Sequence, residues 1–257
     1  MLPPRTPTPV DATIRCAFRY VALLFATLYS AASIHADVLA AYDMQTSGAR
    51  TNASFVLSGL TATSLTGNNL AAGSPGSDQK PSGNFYTTWA FIGAGGSTAA
   101  NAISSGDYFR LTLTPTAGNS ITLGSLSFDV YAATAGPSAR QVYLFSDKTG
   151  FAGGSELFTG STVSGSPLIP YNTAAAGQNY SIDLSGYSAL ANITDSVTFR
   201  FYTQTPTASQ GMAFDNITIN GTVAAVPEPS SFAFAGLVAF VVLAASRRGV
   251  RLSYFKS

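Results

Sequence analysis

Apolar and polar residues alternate over many short stretches of this 257-residue chain. In Tyr108-Phe109-Arg110-Leu111-Thr112-Leu113-Thr114 the apolar side chains fall on every second position, and Pro115 stops the run. A period of two places such residues on one face of a strand, with the polar ones opposite. Ile121 and Leu123, followed by Leu126, Phe128 and Val130, predict a longer strand. Its phase slips at Gly124, where a β-bulge is expected. Val142 and Leu144 continue the pattern, as do Val197, Phe199 and Phe201, and later Phe214, Ile217 and Ile219. Further strands are expected over 38–44, 59–66, 85–92 and 180–184, while 67–83, 94–105 and 160–177 read as loops of small and polar residues. Between the two ends of the chain no segment shows a convincing helical pattern. About nine or ten short strands separated by Gly, Asn and Pro predict an all-β fold, an antiparallel β-sandwich.

The two ends break this pattern with uninterrupted apolar runs. Arg5, Arg15 and Arg19 precede the apolar stretch from Tyr20 to Ser33, and Ile34-His35-Ala36 closes it with a small-residue cleavage site. That layout predicts a secretory signal peptide over 1–36, cut between Ala36 and Asp37. A retained N-terminal membrane helix is the other reading, but a run of about 14 apolar residues is short for a span. At the far end Val226-Pro227-Glu228-Pro229 is followed by the uncharged segment 230–246 and then by Arg247, Arg248 and Arg251. Roughly 20 apolar residues cross a bilayer, so 230–246 predicts a transmembrane helix at the short end of the range. The arginines hold the 247–257 tail in the cytoplasm and leave Glu228 outside. Pro227 and Pro229 keep the preceding chain extended.

Removing both ends changes the composition. The only cysteine, Cys16, and the only histidine, His35, lie in the leader. The exported part therefore contains no disulfide, no Cys or His nucleophile, no His base, and no ordinary zinc or copper ligand set. Between Asp37 and Val226 ten acids stand against six bases, a formal charge of −4. Nothing in that balance suggests a nucleic acid, which requires a basic face.

The order of Pro-Glu-Pro box, membrane-length segment and basic stop resembles the PEP-CTERM sorting signal of Gram-negative bacteria. The resemblance is carried by Val226, Pro227, Glu228, Pro229, Arg247, Arg248 and Arg251. It implies that exosortase, a membrane-embedded protease, recognises the box and removes the anchor. A permanent C-terminal anchor is the alternative. A second resemblance lies at the ends of the sandwich. Ala40-Ala41-Tyr42-Asp43-Met44 and Ala213-Phe214-Asp215-Asn216-Ile217-Thr218-Ile219 look like the paired first and last strands of exported jelly-roll domains. That likeness implies a jelly roll, and in several such families a structural calcium near these strands. The positions that match its acidic ligands are Asp43 and Asp215; a bulge or solvent exposure at Asp215-Asn216 is the alternative. Calcium takes six or more oxygens, so other donors would have to join them.

Alternation also nominates a binding face. If Phe128, Val130, Phe199, Phe201, Val142 and Leu144 point inward, then Asp129, Tyr131, Arg200, Tyr202 and Tyr143 point outward. Should the strands share a face, these five side chains suit sugar stacking and hydroxyl hydrogen bonds. Tyrosines covered by loops are the plainer reading, and Trp89, within Thr88-Trp89-Ala90-Phe91-Ile92, reads as core. Asp129, Glu156 and Asp183 are the acids available for glycoside hydrolysis, but isolated carboxylates are usually solvated charge. No Gly-x-Ser-x-Gly elbow, phosphate loop or dinucleotide fingerprint occurs in this region. The Asn-x-Ser/Thr triplets at Asn52, Asn192, Asn216 and Asn220 read as chance products of composition.

The expected organisation is a signal peptide (1–36), a β-sandwich domain (37–222), and a linker with the sorting signal (223–257). The expected role is structural or adhesive, without catalysis, in the exopolysaccharide or biofilm matrix. A carbohydrate-binding, lectin-like module is the second reading and a glycoside hydrolase the third. The implied partners are the secretion machinery, the membrane as a transient anchor, exosortase and exopolysaccharide. The implied route runs from the inner membrane to the cell surface or extracellular matrix.

Overall fold

The computed structural model describes residues 36–44, 51–68, 70–72, 87–91, 99–132, 140–161, 178–204 and 212–226. The expected signal peptide before Ala36, the box residues 227–229, the apolar segment and the basic tail lie outside the described residues. Among those described, no helix is long and apolar enough to cross a membrane.

Strands dominate, in the order β1 (Asp37–Tyr42), β2 (Phe55–Val56), β3 (Leu60–Ala62), β4 (Thr66–Asn68), β5 (Leu70–Ala72) and β6 (Thr87–Phe91). A helix, α1 (Ala99–Ser105), precedes β7 (Tyr108–Pro115), β8 (Asn119–Ala132), β9 (Gln141–Ser146) and β10 (Phe158–Ser161). Then come β11 (Gln178–Asp183), a 3-10 turn (Ser188–Leu190), β12 (Val197–Gln204) and β13 (Met212–Ala225). One sheet runs β11-β8-β13-β1-β2, with β6 also on β13 and β5 on β6; the other runs β10-β9-β12-β7-β3, with β4 also on β7. All strand pairings are antiparallel. From β7 onward the chain changes sheet at every connection except the β9–β10 hairpin, and the first strand lies beside the last. This is the strand order of a jelly roll, in which two Greek keys close one sandwich.

The long strands form because their alternation matches a buried and an exposed face. On β7, Phe109, Leu111 and Leu113 are fully buried, while Arg110 and Thr114 are exposed. Four phenylalanines, two from each sheet, meet in the middle of the core. Phe109 (β7) stacks on Phe201 (β12) at 4.5 Å and 7°. Phe128 (β8) meets Phe201 edge-on at 5.4 Å, and Phe214 (β13) meets Phe109 edge-on at 4.8 Å. Offset and edge contacts of this kind add about 0.5–1.5 kcal/mol each beyond area burial. Tyr42 ends β1 with its ring buried and its hydroxyl donating to the Thr63 carbonyl at 2.6 Å, and burial pushes its pKa up.

Two irregularities shape the β8–β13 ladder. The pairing skips a β8 residue between Asn220↔Ser125 and Gly221↔Leu123, so Gly124 is the bulged residue expected from the phase slip. A second shift, between Asp215↔Asp129 and Thr218↔Ser127, puts the extra residue on β13, where Asn216 takes φ +49°. Asn tolerates that left-handed conformation better than most side chains. The backbone leaves no room for a side chain at Gly221. A Cβ there would lie 2.2 Å from the Thr122 carbonyl oxygen and 2.9 Å from Leu39 Cδ1.

The structure departs from the sequence reading at several elements, among them α1 and the short strands near β7. Residues 99–105 (AANAISS) form α1 rather than loop, because three alanines favour a helix once one side can pack on β12. Inside the segments read as 59–66 and loop 67–83, the short strands β3, β4 and β5 appear, each defined by a distant partner rather than by local periodicity. Gly221→Ala should cost about 1–3 kcal/mol through overpacking, lowering Tm by roughly 2–4 °C per kcal/mol. Gly118 has φ +79° but open space around it, so Gly118→Ala should cost less. Thermal melts of the two variants check the order, and equal losses would mean the close approach at Gly221 is not real.

Candidate functional site

The five residues nominated as one binding face divide between the two sheets. Tyr143 lies on β9, and Arg200 and Tyr202 on β12, all in one sheet, whereas Asp129 and Tyr131 lie on β8 in the other. The side chains of Tyr131 and Trp89 lie outside the described residues; their backbones pair with Ala213 and Met212.

On the outer face of the first sheet Arg200 is held between two rings. Its guanidinium carbon lies 3.8 Å from the Phe151 ring centroid and 4.6 Å from that of Tyr108. Nη1 donates to the Tyr202 hydroxyl at 3.1 Å, while the buried Nε has no partner among the described residues. Tyr202, Tyr143, Phe145 and Ala102 form a small second core, against which Ile103, Tyr108 and Phe151 pack. Tyr202 is 2% and Tyr143 4% exposed, so neither offers a ring face to a sugar. The Tyr143 hydroxyl donates to Gln141 Oε1, and burial, assisted by the nearby Glu156 carboxylate, pushes its pKa up to about 12. Helix α1 and the turn carrying Phe151 thus cover the tyrosines, as the plainer reading of them anticipates. What remains at the surface is the half-exposed Arg200, fixed in orientation by ring contacts worth about 0.5–2 kcal/mol, with the exposed Arg110 directly opposite it on β7.

The outer face of the second sheet is polar and is built in rungs. Asn179 (β11), Asp129 (β8) and the Asp215-Asn216 bulge (β13) form the first rung. The Asp129 carboxylate accepts from Asn179 Nδ2 and from Asn216 Nδ2, each at 2.8 Å. Ser181, Ser127 and Thr218 form the next, and Asp183, Ser125 and Asn220 the third, where Asn220 Nδ2 donates to Ser125 Oγ at 3.2 Å. Asp183 accepts from the Ser185 hydroxyl and backbone N–H, and these bonds hold its carboxyl below the usual range. Asp129 is therefore an acceptor for two amides rather than a partner of the tyrosines.

Asp43 and Asp215 lie at the end of the β1–β13 pairing. β1 and β13 pair through Tyr42↔Ile217, so Asp43 follows the last rung on one side and Asp215 sits at the bulge on the other. The Asp215 carboxylate is fully buried and accepts from the Asn216 N–H at 2.8 Å. Asp43 is half-buried, and its N–H donates to Ser54 Oγ at 3.2 Å. Among the described residues no three acids, histidines or cysteines gather where a metal could bind. Two carboxylates supply only part of the six to eight oxygens of a calcium shell, so carbonyl or other oxygens would have to complete it.

Sequence reasoning missed Phe151, Tyr108, Asn179 and Asn216 as neighbours of the nominated residues. A lone aromatic within the turn Gly150-Phe151-Ala152-Gly153-Gly154 was the available signal for the first.

Residues 225–248 match the PEP-CTERM protein-sorting motif. No curated protein sequence matches the chain. Among solved structures it is similar to the mannan-recognising carbohydrate-binding module TmCBM27, at 9% identity and TM-score 0.39, over 73% of this chain and 99% of that one. It is also similar to the family 11 carbohydrate-binding module of Lic26A-Cel5E from Clostridium thermocellum, at 12% identity, 74% and 97% coverage and TM-score 0.29. A third is the K3 adhesin domain of Lys-gingipain from Porphyromonas gingivalis, at 17% identity, 63% and 92% coverage and TM-score 0.29. The architecture is defined by the strand order of this chain and not by these distant overlays.

If Asp43 and Asp215 share a calcium, excess EDTA should lower the Tm of the protein relative to added calcium, and an unchanged curve would rule the site out. A ligand bound only to the native state raises Tm, so a calcium-dependent rise lost in Asp215→Ala would show that further donors complete a site.

Proposed function

We propose that this is an exported surface protein, made as a membrane-anchored precursor and released by exosortase into the cell-surface or extracellular polysaccharide matrix, where its role is structural or adhesive. The observation that carries the reading is the sorting motif at residues 225–248, joined directly to the last strand of a β-sandwich. The expected signal peptide supports the same route, and β1 begins at Asp37, the residue at which cleavage after Ala36 would start the exported chain. In this reading Val226 to Pro229 present Glu228 outside the membrane, and Arg247, Arg248 and Arg251 fix the orientation of the precursor in the inner membrane.

Carbohydrate binding is the second reading, favoured by the oriented guanidinium of the half-exposed Arg200, which can donate to hydroxyls or carboxylates. The covered Tyr143 and Tyr202 restrict it to polar contact rather than stacking. The acids nominated for glycoside hydrolysis, Asp129, Glu156 and Asp183, do not come together as a pair. Asp129 (β8) pairs opposite Asn179 and Asp183 (β11) opposite Ser125, which separates the two acids by four residues, about 13 Å, along the β8–β11 ladder. Glycoside hydrolysis uses carboxyls about 5–9.5 Å apart. Glu156 lies between β9 and β10, in the other sheet's hairpin, where it accepts from the Gly154 N–H.

Glu228→Ala should leave export intact and block removal of the anchor, so that uncut protein accumulates in the inner membrane. C-terminal mass measurement in hosts with and without the sorting enzyme checks this; an uncut mass in both hosts would make the tail an ordinary anchor. For the second reading, processed protein should bind an acidic or neutral polysaccharide on an array, and Arg200→Ala should weaken that binding about tenfold or more. Equal binding by both would remove this face from the account.

A further inference from the structure

No spacer separates the folded domain from the sorting motif. β13 pairs with β8 as far as Ala225↔Asn119, and the Val226 N–H donates to the Gly118 carbonyl at 2.8 Å. The motif begins at residue 225, so its first two residues belong to the sandwich. Residues 223–225, expected as linker, are therefore part of β13.

How this end is held changes sharply at Gly221. Up to that residue β13 is clamped on both edges, with β8 on one side and β1 on the other, where Asp37↔Gly221 is the terminal pair. From Thr222 to Val226 only β8 pairs with it among the described residues. Gly221 is buried, Thr222 and Val223 are half-buried, and the last three residues are exposed.

The β8 side of the same ladder is pinned. The Thr116 N–H donates to the Gly59 carbonyl at 2.9 Å, and Asn119 closes the turn with bonds to the Thr116 carbonyl at 3.0 Å and hydroxyl at 2.9 Å. Ile121 exchanges backbone bonds of 2.9 and 2.8 Å with Ile193. When the two strands part here, β13 is the one that moves.

A protease reads its substrate as an extended strand through the backbone N–H and C=O groups on the approach to the cut. In the folded domain those groups, on the side facing β8, are already bonded up to Val226. We propose that Thr222–Val226 must peel from β8 before the box can be engaged, so that opening of this ladder sets the rate of anchor removal. The peeled length is bounded by Gly221, beyond which both edges would have to be broken at once. Where opening and closing are fast relative to cleavage, the cutting rate follows the open population. The inference rests on the sorting reading above.

The test uses full-length precursor in membranes containing the sorting enzyme, with the rate of anchor loss read by mass. Inserting Gly-Ser-Gly-Ser between Val226 and Pro227 supplies a flexible approach without peeling and should speed removal several-fold. Asn119→Cys with Ala225→Cys cross-links a pair lying between bonded neighbours, where Cα spacing suits a disulfide. No native cysteine follows Cys16 to compete. Oxidised, this variant should be cut about tenfold or more slowly than when reduced, while the wild type ignores reductant. A retained melting transition confirms that the oxidised protein is folded. Wild-type rates for both the insertion and the oxidised variant would overturn the peeling step while leaving the sorting reading intact. No cutting of any form, insertion and wild type included, would instead overturn the sorting reading and the peeling step with it.

Discussion

The pairing of β13 with β8 is the constraint on which the rest of the sandwich depends. These are the longest strands, and they lie at the centre of one sheet. Each contributes a phenylalanine to the core, Phe214 and Phe128, and these meet Phe109 and Phe201 from the opposite sheet. The same pairing carries both bulges, at Gly124 and at Asn216, which locally strengthen the right-handed twist and bend the strand that holds them. It also receives β1, so the first and last strands of the domain close on each other and the fold is complete only when the C-terminal strand is in place. The strand that completes the fold is also the one that leads out of it.

Strands whose two faces have opposite fates were legible in the sequence. β7, β8, β12 and β13 each bury one set of alternate residues and expose or half-expose much of the other, so a period of two marks them directly. The bulge at Gly124 was legible for the same reason, as a slip in that period. Elements stabilised by remote partners were not. β4 has no buried residue and exists because Thr66, Gly67 and Asn68 pair with Arg110, Phe109 and Tyr108. Helix α1 is seven residues long, too short to show a convincing period, and is fixed by packing on β12.

The candidate face shows the same boundary. Alternation tells which side of its own strand a residue takes, but not which sheet the strand joins. It therefore grouped Asp129 with Arg200, although the jelly-roll crossing sends β8 and β12 to opposite sheets. Arg200 owes its fixed orientation to Tyr108 and Phe151, distant in sequence from it and brought together by the fold. The sorting motif was legible because its chemistry is local: two prolines, one carboxylate, a neutral apolar run and a basic stop. Its junction with the domain was not legible as strand, because Thr222 to Ala225 are small and weakly patterned and acquire their strand geometry from β8.

At Gly221 β13 changes from a doubly clamped strand to a singly clamped one. Native-state hydrogen exchange tests it most directly. The amides of Ala224 and Val226 should exchange through a local opening whose free energy lies well below that of global unfolding, while those of Ile219 and Asn220 exchange only with the whole domain. Exchange of Ala224 and Val226 at the global rate, with the same denaturant dependence as Ile219, would contradict the account.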